Sequence, residues 1–346
     1  MHFETIINSD LLQMISEIEE FKGAWTFLSR IAPERLSSLR RIAAIESIGS
    51  STRIEGSKLS DKEVESLLSN LDTHSFRSRD EEEVAGYAYV CEEIFSNYEN
   101  IPFTENVVKQ FHIWLLQYCH KDISHRGEYK KHPNHIEAFD GNGRSLGIIC
   151  HTTSPFETPR KMQELMDWTK ESLKNKQMHP LLIIGIFLVV FLEIHPFLDG
   201  NGRLSRILTT LLLLKSGYLY VPYCSLESII EENKEQYYLA LRKTQSTLEN
   251  SPDFLPWLTF FLRSLLKQKM ILMQKMEAEA LLSLHLSKVS SIIAQLLQKH
   301  GRLSLGEITQ LTDVNRNTLK KHLQTLVREK QIIQHGKGRA TWYTLF

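Results

Sequence analysis

The stretch "LLIIGIFLVVFLEIHPFLDGNGRLSRILTTLLLL", Leu181–Leu214, decides the architecture. Its opening run, Leu181–Leu192, is continuously apolar but falls well short of the roughly 20 residues that a bilayer-spanning helix needs. It reads as a helix buried on every side, ending near Ile194. A short polar loop follows, and a second strongly apolar helix begins around Gly202. Two such helices joined by a glycine-bearing turn predict a helical core with the turn at its surface.

That turn is chemically loaded. A glycine loop entering a helix N-terminus aims free backbone N–H groups and the positive dipole end at one point, which makes an anion site, most often for phosphate. Arg203 and Arg206 lie three apart on the first turn, so both can face the same anion. Asp199 offers a hard carboxylate suited to Mg²⁺ bridging phosphate oxygens. His195, at the exit of the buried helix, is an imidazole able to take a proton from an attacking hydroxyl. Taken singly, each residue has an ordinary structural explanation; base, acid, amides and two arginines within twelve residues do not.

The pentapeptide "DGNGR" also occurs at Asp140–Arg144. There it lies between two short strand-like pieces with no apolar helix after it. Asp-Gly and Asn-Gly accept positive φ cheaply, so this copy reads as the tip of a β-hairpin.

Elsewhere helical spacing dominates. Leu36, Leu39, Ile42, Ile45 and Ile48 predict a helix that stops at Gly56, and Ser60 with Glu63 forms a capping box that opens the next. "RSLLKQKMILMQKMEAEALLSLHL" reads as a long connecting helix whose Met and Leu stripe packs on a neighbouring domain or on a second copy in a homodimer. The final stretch, 287–346, carries ten Lys/Arg against three acids, a net +7 balanced by −7 elsewhere in a chain with 41 of each sign. Its order, a helix Val289–His300, a capped helix after Ser304, a helix Arg316–Glu329 and two strands around Gly-Lys-Gly, resembles a winged helix-turn-helix. Such a tail suits DNA or protein docking, with Asn315, Arg316, Asn317, Lys320 and Lys321 as groove and phosphate contacts. The expected divisions are 1–79, a helical region; 80–266, the core; 267–286, the connecting helix; and 287–346, the winged helix.

The four cysteines form no CxxC pair, and the N-terminus lacks a signal-peptide pattern, so a reduced, cytoplasmic protein with no membrane partner is expected. His120, His125, His132 and His135 surround basic loop residues and read as surface and hairpin positions rather than a metal site.

"HPFLDGNGRLSR", His195–Arg206, resembles the HPFxDGNGRxxR signature of the Fic-domain family at every specified position. The resemblance implies a mainly α fold with a Fic-type helical core and a small β-hairpin flap. It also implies transfer of AMP from ATP to a Ser, Thr or Tyr hydroxyl of a protein, an unknown target or the chain itself, with release of pyrophosphate. His195 would be the base and Asp199 would hold Mg²⁺. The amides of Gly200 and Gly202 with the Asn201 side chain would hold phosphate oxygens, Arg203 the β-phosphate and Arg206 the γ-phosphate. Gly202 stands where the death-on-curing branch, which phosphorylates, has lysine, and so favours nucleotidyl transfer. Ile136 and Ile148 would lie in the strands of the target-docking flap. Tyr237 resembles the family's adenine contact, although Gln245 replaces an asparagine frequent in relatives. "STRIEG", Ser51–Gly56, resembles the family's inhibitory motif, in which Glu55 would pair with Arg206 and displace the γ-phosphate. The alternative reading is a DNA-binding regulator whose Fic domain senses nucleotide; UTP or CTP as donor would leave the same phosphate site.

Overall fold

The computed structural model describes residues 8–31, 33–71, 76–134, 136–139, 145–150, 152–176, 178–248, 251–285, 288–312, 314–329, 331–336 and 341–345. The chain divides into two compact units, Met1–Ile271 and Leu272–Phe346. The division falls inside the connecting helix expected at 267–286.

In the first unit, helices α1 (Ser9–Ile31), α2 (Pro33–Ile54), α3 (Asp61–Ser69), α4 (Arg79–Asn97) and α5 (Glu105–Leu115) precede a two-stranded hairpin. After it come α6 (Thr158–Asn175), α7 (Pro180–Ile194), α8 (Asn201–Lys215), α9 (Leu226–Glu232), α10 (Lys234–Gln245) and the start of α11 (Leu255–His285), which runs on past the division at Ile271. The core is built around α7. Of its fifteen residues only Pro180 and Glu193 are not buried, so the unbroken apolar run lies in the middle of the unit. Pro180 sits at its first turn, where the missing N–H costs nothing. α6 and α8 pack on its sides, and α11 closes on Gly185, whose carbonyl accepts from Trp257 Nε1 at 2.7 Å. Along α11, Leu262, Leu265 and Leu272 are buried while Met270 and Met273 are exposed. No helix among the described residues is long and apolar enough to cross a membrane.

The hairpin pairs β1 (Ile136–Phe139) with β2 (Ser145–Cys150) in antiparallel register, Ile136 opposite Cys150 and Glu137 opposite Ile148, with two bulges. The turn expected at Asp140–Arg144 lies outside the described residues.

The second unit has its own core. α12 (Lys288–His300), α13 (Leu305–Gln310) and α14 (Arg316–Arg328) pack Ile293, Leu297, Ile308, Leu319, Leu323 and Leu326 together. The expected capping box is present, with Ser304 Oγ accepting from the Glu307 amide and the Glu307 carboxylate from the Ser304 amide. The two expected strands, β4 (Ile332–His335) and β5 (Trp342–Leu345), pair antiparallel. A third, two-residue strand, β3 (Leu303–Ser304), adds to the other edge of β5 and has no counterpart in the sequence reading. It is too short for a periodic signal.

Candidate active site

The junction between α7 and α8 is a left-handed turn. His195 takes φ 50°, ψ 59°, and Gly200 takes φ 79° as the N-cap of α8. Glycine reaches that region freely, but histidine is held there at a cost. Asn201 maintains the loop between them. Its Oδ1 accepts from Phe197 N at 2.9 Å and its Nδ2 donates to Phe197 O at 2.7 Å. The Asn201 side chain, expected to hold phosphate oxygens, is thus buried with both ends engaged by the loop, because a six-residue turn leaves its own backbone groups unpaired. Phe197 lies in the core, stacked on His112 with ring centroids 3.9 Å apart.

His195 Nδ1 donates to Leu192 O at 3.3 Å, which leaves Nε2 as the unprotonated acceptor of the neutral ring. Burial is the main influence that pushes its pKa down to about 4, and the nearby Lys130 charge acts in the same direction. His112 is also pushed down to about 4 by burial. It accepts from Gly127 N through Nδ1 at 2.8 Å, so Nε2 carries the proton and donates to Asp199 O at 3.0 Å.

The two arginines are buried and answer to different acids. Arg206 Nε donates to Ser51 Oγ at 2.8 Å, and its Nη2 donates to Ser51 O at 2.8 Å and Glu55 Oε1 at 2.7 Å. Burial opposes the Arg206 charge, but the Glu55 carboxylate together with Tyr237 and Tyr87 outweighs it and holds the guanidinium above its usual range. Arg203 pairs with Glu83 at 2.8 Å and with Asp199 at 3.2 Å. Asp199 also accepts from Gly200 N at 2.6 Å and from Arg79 Nη2 at 2.8 Å. Burial alone would raise its pKa, yet Arg203, the Gly200 amide and Arg79 together hold it below the usual aspartate value.

Glu55 is delivered by the way α2 ends. Gly56 at φ 111° donates to Arg53 O at 3.0 Å, and Ser57 N donates to Thr52 O at 3.1 Å, a Schellman close with glycine at C′. Arg53 then ties this end to α9 through Glu231 at 2.7 and 3.0 Å and to α3 through Asp61 at 2.9 Å. The carboxylate lies over the first turn of α8, so close that any side chain at position 202 would run into it. A negative group is favoured there by the helix dipole and the unpaired amides.

Tyr237 is buried, edge-on to Trp257, and burial raises its pKa to about 12. It lines the inner side of Arg206 rather than an open cleft. Its neighbour Tyr238 is 44% exposed. His125 pairs with Asp122 at 3.0 Å, His120 and His132 are exposed, and His135 lies outside the described residues. Arg79, Glu83, His112, Lys130 and Asn134 were not singled out from the sequence. The Arg79–Glu83 spacing of four was the only local signal, and alone it describes a solvated helix pair.

Among the described residues no group of three or more His, Cys, Asp or Glu side chains can hold a metal. Asp199 supplies one hard carboxylate at 42% side-chain exposure. That donor set fits Mg²⁺, which takes one or two carboxylates and fills its octahedron with phosphate oxygens and water.

Residues 102–213 match the sequence model of the Fic/DOC family, and residues 278–333 match that of the RNA polymerase III subunit RPC82 helix-turn-helix domain. The protein adenylyltransferase Fic of Drosophila willistoni is 26% identical over 270 residues, covering 75% of this chain and 49% of that protein. Its counterpart in Drosophila mojavensis is 24% identical, covering 73% and 46%. The chain spans about half the length of the curated relatives it matches. A Fic family protein from Desulfovibrio desulfuricans G20 superposes with a TM-score of 0.62 at 23% identity, over 99% of this chain and 98% of that one. A Fic domain containing signaling protein from Bacteroides thetaiotaomicron VPI-5482 gives 0.62 at 24% identity, over 75% and 97%. These structures share the mainly helical fold.

Proposed function

We propose that the chain, whose residues 102–213 match the Fic/DOC family, is an autoinhibited protein adenylyltransferase, moving AMP from ATP to a hydroxyl of a protein. The supporting observation is the cluster at the head of α8. A neutral imidazole with a bare Nε2, a carboxylate suited to Mg²⁺, first-turn amides and Arg206 meet there, and Glu55 covers the anion position.

His195 Nε2 accepts the proton of the target hydroxyl as the oxygen bonds to the α-phosphorus. The bond from that phosphorus to the bridging oxygen breaks and pyrophosphate leaves. The bound triphosphate's negative charge offsets the burial that holds the imidazole low. Asp199, freed from Arg79, would hold Mg²⁺, which would supply charge neutralisation on the phosphates. The α8 amides meet charge that develops in the transition state. Glu55 competes with the γ-phosphate for Arg206, and the nucleotide then sits out of line for attack.

The test is incubation with ATP labelled in the α-phosphate, with and without cell lysate, followed by mass spectrometry of any labelled protein. Label is expected with Glu55→Gly, not with wild type, and not with Glu55→Gly/His195→Ala. A silent Glu55→Gly chain in every condition would overturn the proposal. The added mass reads the donor directly, AMP against UMP or CMP.

A second reading rests on the other unit. The exposed face of α14 carries Arg316, Asn317, Lys320, Lys321, Gln324 and Arg328 opposite buried Leu319, Leu323 and Leu326. None of these four cations is ion-paired among the described residues. A helix face with cations and no acid is suited to a duplex DNA groove. The chain would then be a DNA-binding regulator. Fluorescence anisotropy with duplex DNA should give a log Kd that rises with log salt at a slope near four, at about 0.9 per phosphate contact. Binding left intact in Arg316→Ala/Lys320→Ala/Lys321→Ala would sink this reading.

A further inference from the structure

Lys130, read from the sequence as one of several basic loop residues, is only 4% exposed. Its Nζ donates to Asn134 Oδ1 at 2.7 Å, Thr152 Oγ1 at 2.9 Å and Ile194 O at 3.0 Å. Three protons therefore meet three neutral acceptors, with no carboxylate at ion-pair distance among the described residues. Its backbone N donates to Pro196 O at 2.8 Å. Asn134, oriented by Lys130 and by Thr152 Oγ1 at 2.9 Å, passes its Nδ2 protons to His195 O at 3.2 Å and Phe197 O at 2.6 Å. The carbonyls of four consecutive residues, Ile194 to Phe197, are thus all taken by Lys130 or Asn134.

Two features give this cage a purpose beyond stability. First, it encloses His195, a non-glycine residue held at positive φ, where restraint is needed most. Second, its members come from both roots of the hairpin: Asn134 lies just before β1, and Thr152 just after β2. Burying an ammonium with no carboxylate bonded to it is costly, and burial lowers the Lys130 pKa to about 8 even though the Glu193 carboxylate opposes the shift. An amide offers two donors and a hydroxyl one, so neither can replace its three-way anchorage.

We propose that Lys130 is a positioning residue that, through Asn134 and Thr152, locks the turn carrying His195 to both roots of the β1–β2 hairpin. The strand that docks a target and the ring that accepts its proton are thereby held in one fixed relation. The catalytic consequence rests on the adenylyl-transfer reading; the structural lock does not.

Two measurements separate them. In the otherwise wild-type chain, histidine-labelled NMR follows the His195 ring through pH. Lys130→Met and Asn134→Ala should each shift its resonance, and Lys130→Met should raise its midpoint by roughly one pH unit as a neighbouring positive charge is lost. In the Glu55→Gly background, each variant should lower the single-turnover labelling rate roughly 10- to 100-fold, as expected for a misplaced base. Calorimetric ATP affinity should change by less than about threefold, because neither residue is among the nucleotide-binding residues proposed above. If Lys130→Met fails to fold by circular dichroism, Lys130→Gln, which keeps two donors, takes its place with the same expectations at smaller size. Folded variants with an unmoved His195 resonance overturn the lock. A moved resonance with an unchanged rate overturns its catalytic role. A Glu55→Gly chain that labels nothing counts against the transferase reading alone, and the NMR arm still decides the lock.

Discussion

Arg203 and Arg206 stand three residues apart on one helix turn, yet each is held by different acids, and Glu55 and Glu83 come from distant parts of the chain. Arg206 is held by Ser51 and Glu55, Arg203 by Glu83 and Asp199, and Asp199 in turn by Arg79. The Arg79–Asp199 pair is about two-fifths exposed on both sides, so it is worth at most ~1 kcal/mol. Arg79→Ala should therefore tighten Mg²⁺-dependent binding of a non-hydrolysable ATP analogue only about two- to fivefold, measured by calorimetry; tightening that is equal without Mg²⁺ would refute the competition. His112 supplies a prediction of the opposite kind, about pH. Its folded pKa lies near 4, below the ordinary 6.5, because burial disfavours its charged form. A depressed folded pKa gives stability that is fully present above pH 6.5 and is lost as pH falls toward 4. The size is on the order of 3 kcal/mol, with His195 adding a change of the same sign. Urea midpoints should fall over that window, and His112→Gln, less stable at neutral pH, should show a shallower fall. An equal slope in both chains would mean that other groups govern the acid limb.

At the scale of elements, the end of α2 shows why Glu55 is where it is. The Schellman close needs a left-handed residue immediately after Glu55, and Gly56 at φ 111° provides it. Gly56→Ala meets no neighbour, so its cost is backbone strain alone, about 1–2 kcal/mol. That strain should loosen the carboxylate's placement and give labelling between wild type and Glu55→Gly in the transferase assay. Labelling no different from wild type would mean that Arg53 and its three acidic contacts position this end by themselves. Helix ends of this sort were legible in the sequence because their signals are local: Gly56 as a stop, Ser60 with Glu63 and Ser304 with Glu307 as starts, each found as read. The α7–α8 turn was legible for the same reason. What surrounds it was not. Glu83, His112 and Lys130 reach the turn from 64 to 120 residues away, through packing that leaves no periodic trace. A lysine between other basic residues looks like surface until its three acceptors are seen. Tyr237 is ambiguous in the other direction: a tyrosine pair marks a pocket or a core equally well in sequence, and burial is what separates Tyr237 from Tyr238.

Across the whole molecule, composition sets off a net +7 stretch at 287–346 from a −7 remainder, while the compact C-terminal unit begins earlier, at Leu272. The structure adds that each unit has a core of its own. The cluster around Leu319, Leu323 and Leu326 draws all its buried members from residues 293–343, and none from the α7-centred core. Cores without shared residues unfold without a common transition, unless the helix that runs between them transmits one. Leu323→Ala should remove about 2–5 kcal/mol from the C-terminal unit, since a fully buried leucine leaves a cavity behind. Calorimetry of the full chain should then show two transitions, one moved down by this substitution and one unchanged. In the Glu55→Gly background, Leu323→Ala should leave the labelling rate untouched while DNA retention weakens, because the charged face of α14 is held in shape by the leucines beneath it. If both transitions shift together, the two units unfold cooperatively and the independence of their cores is refuted.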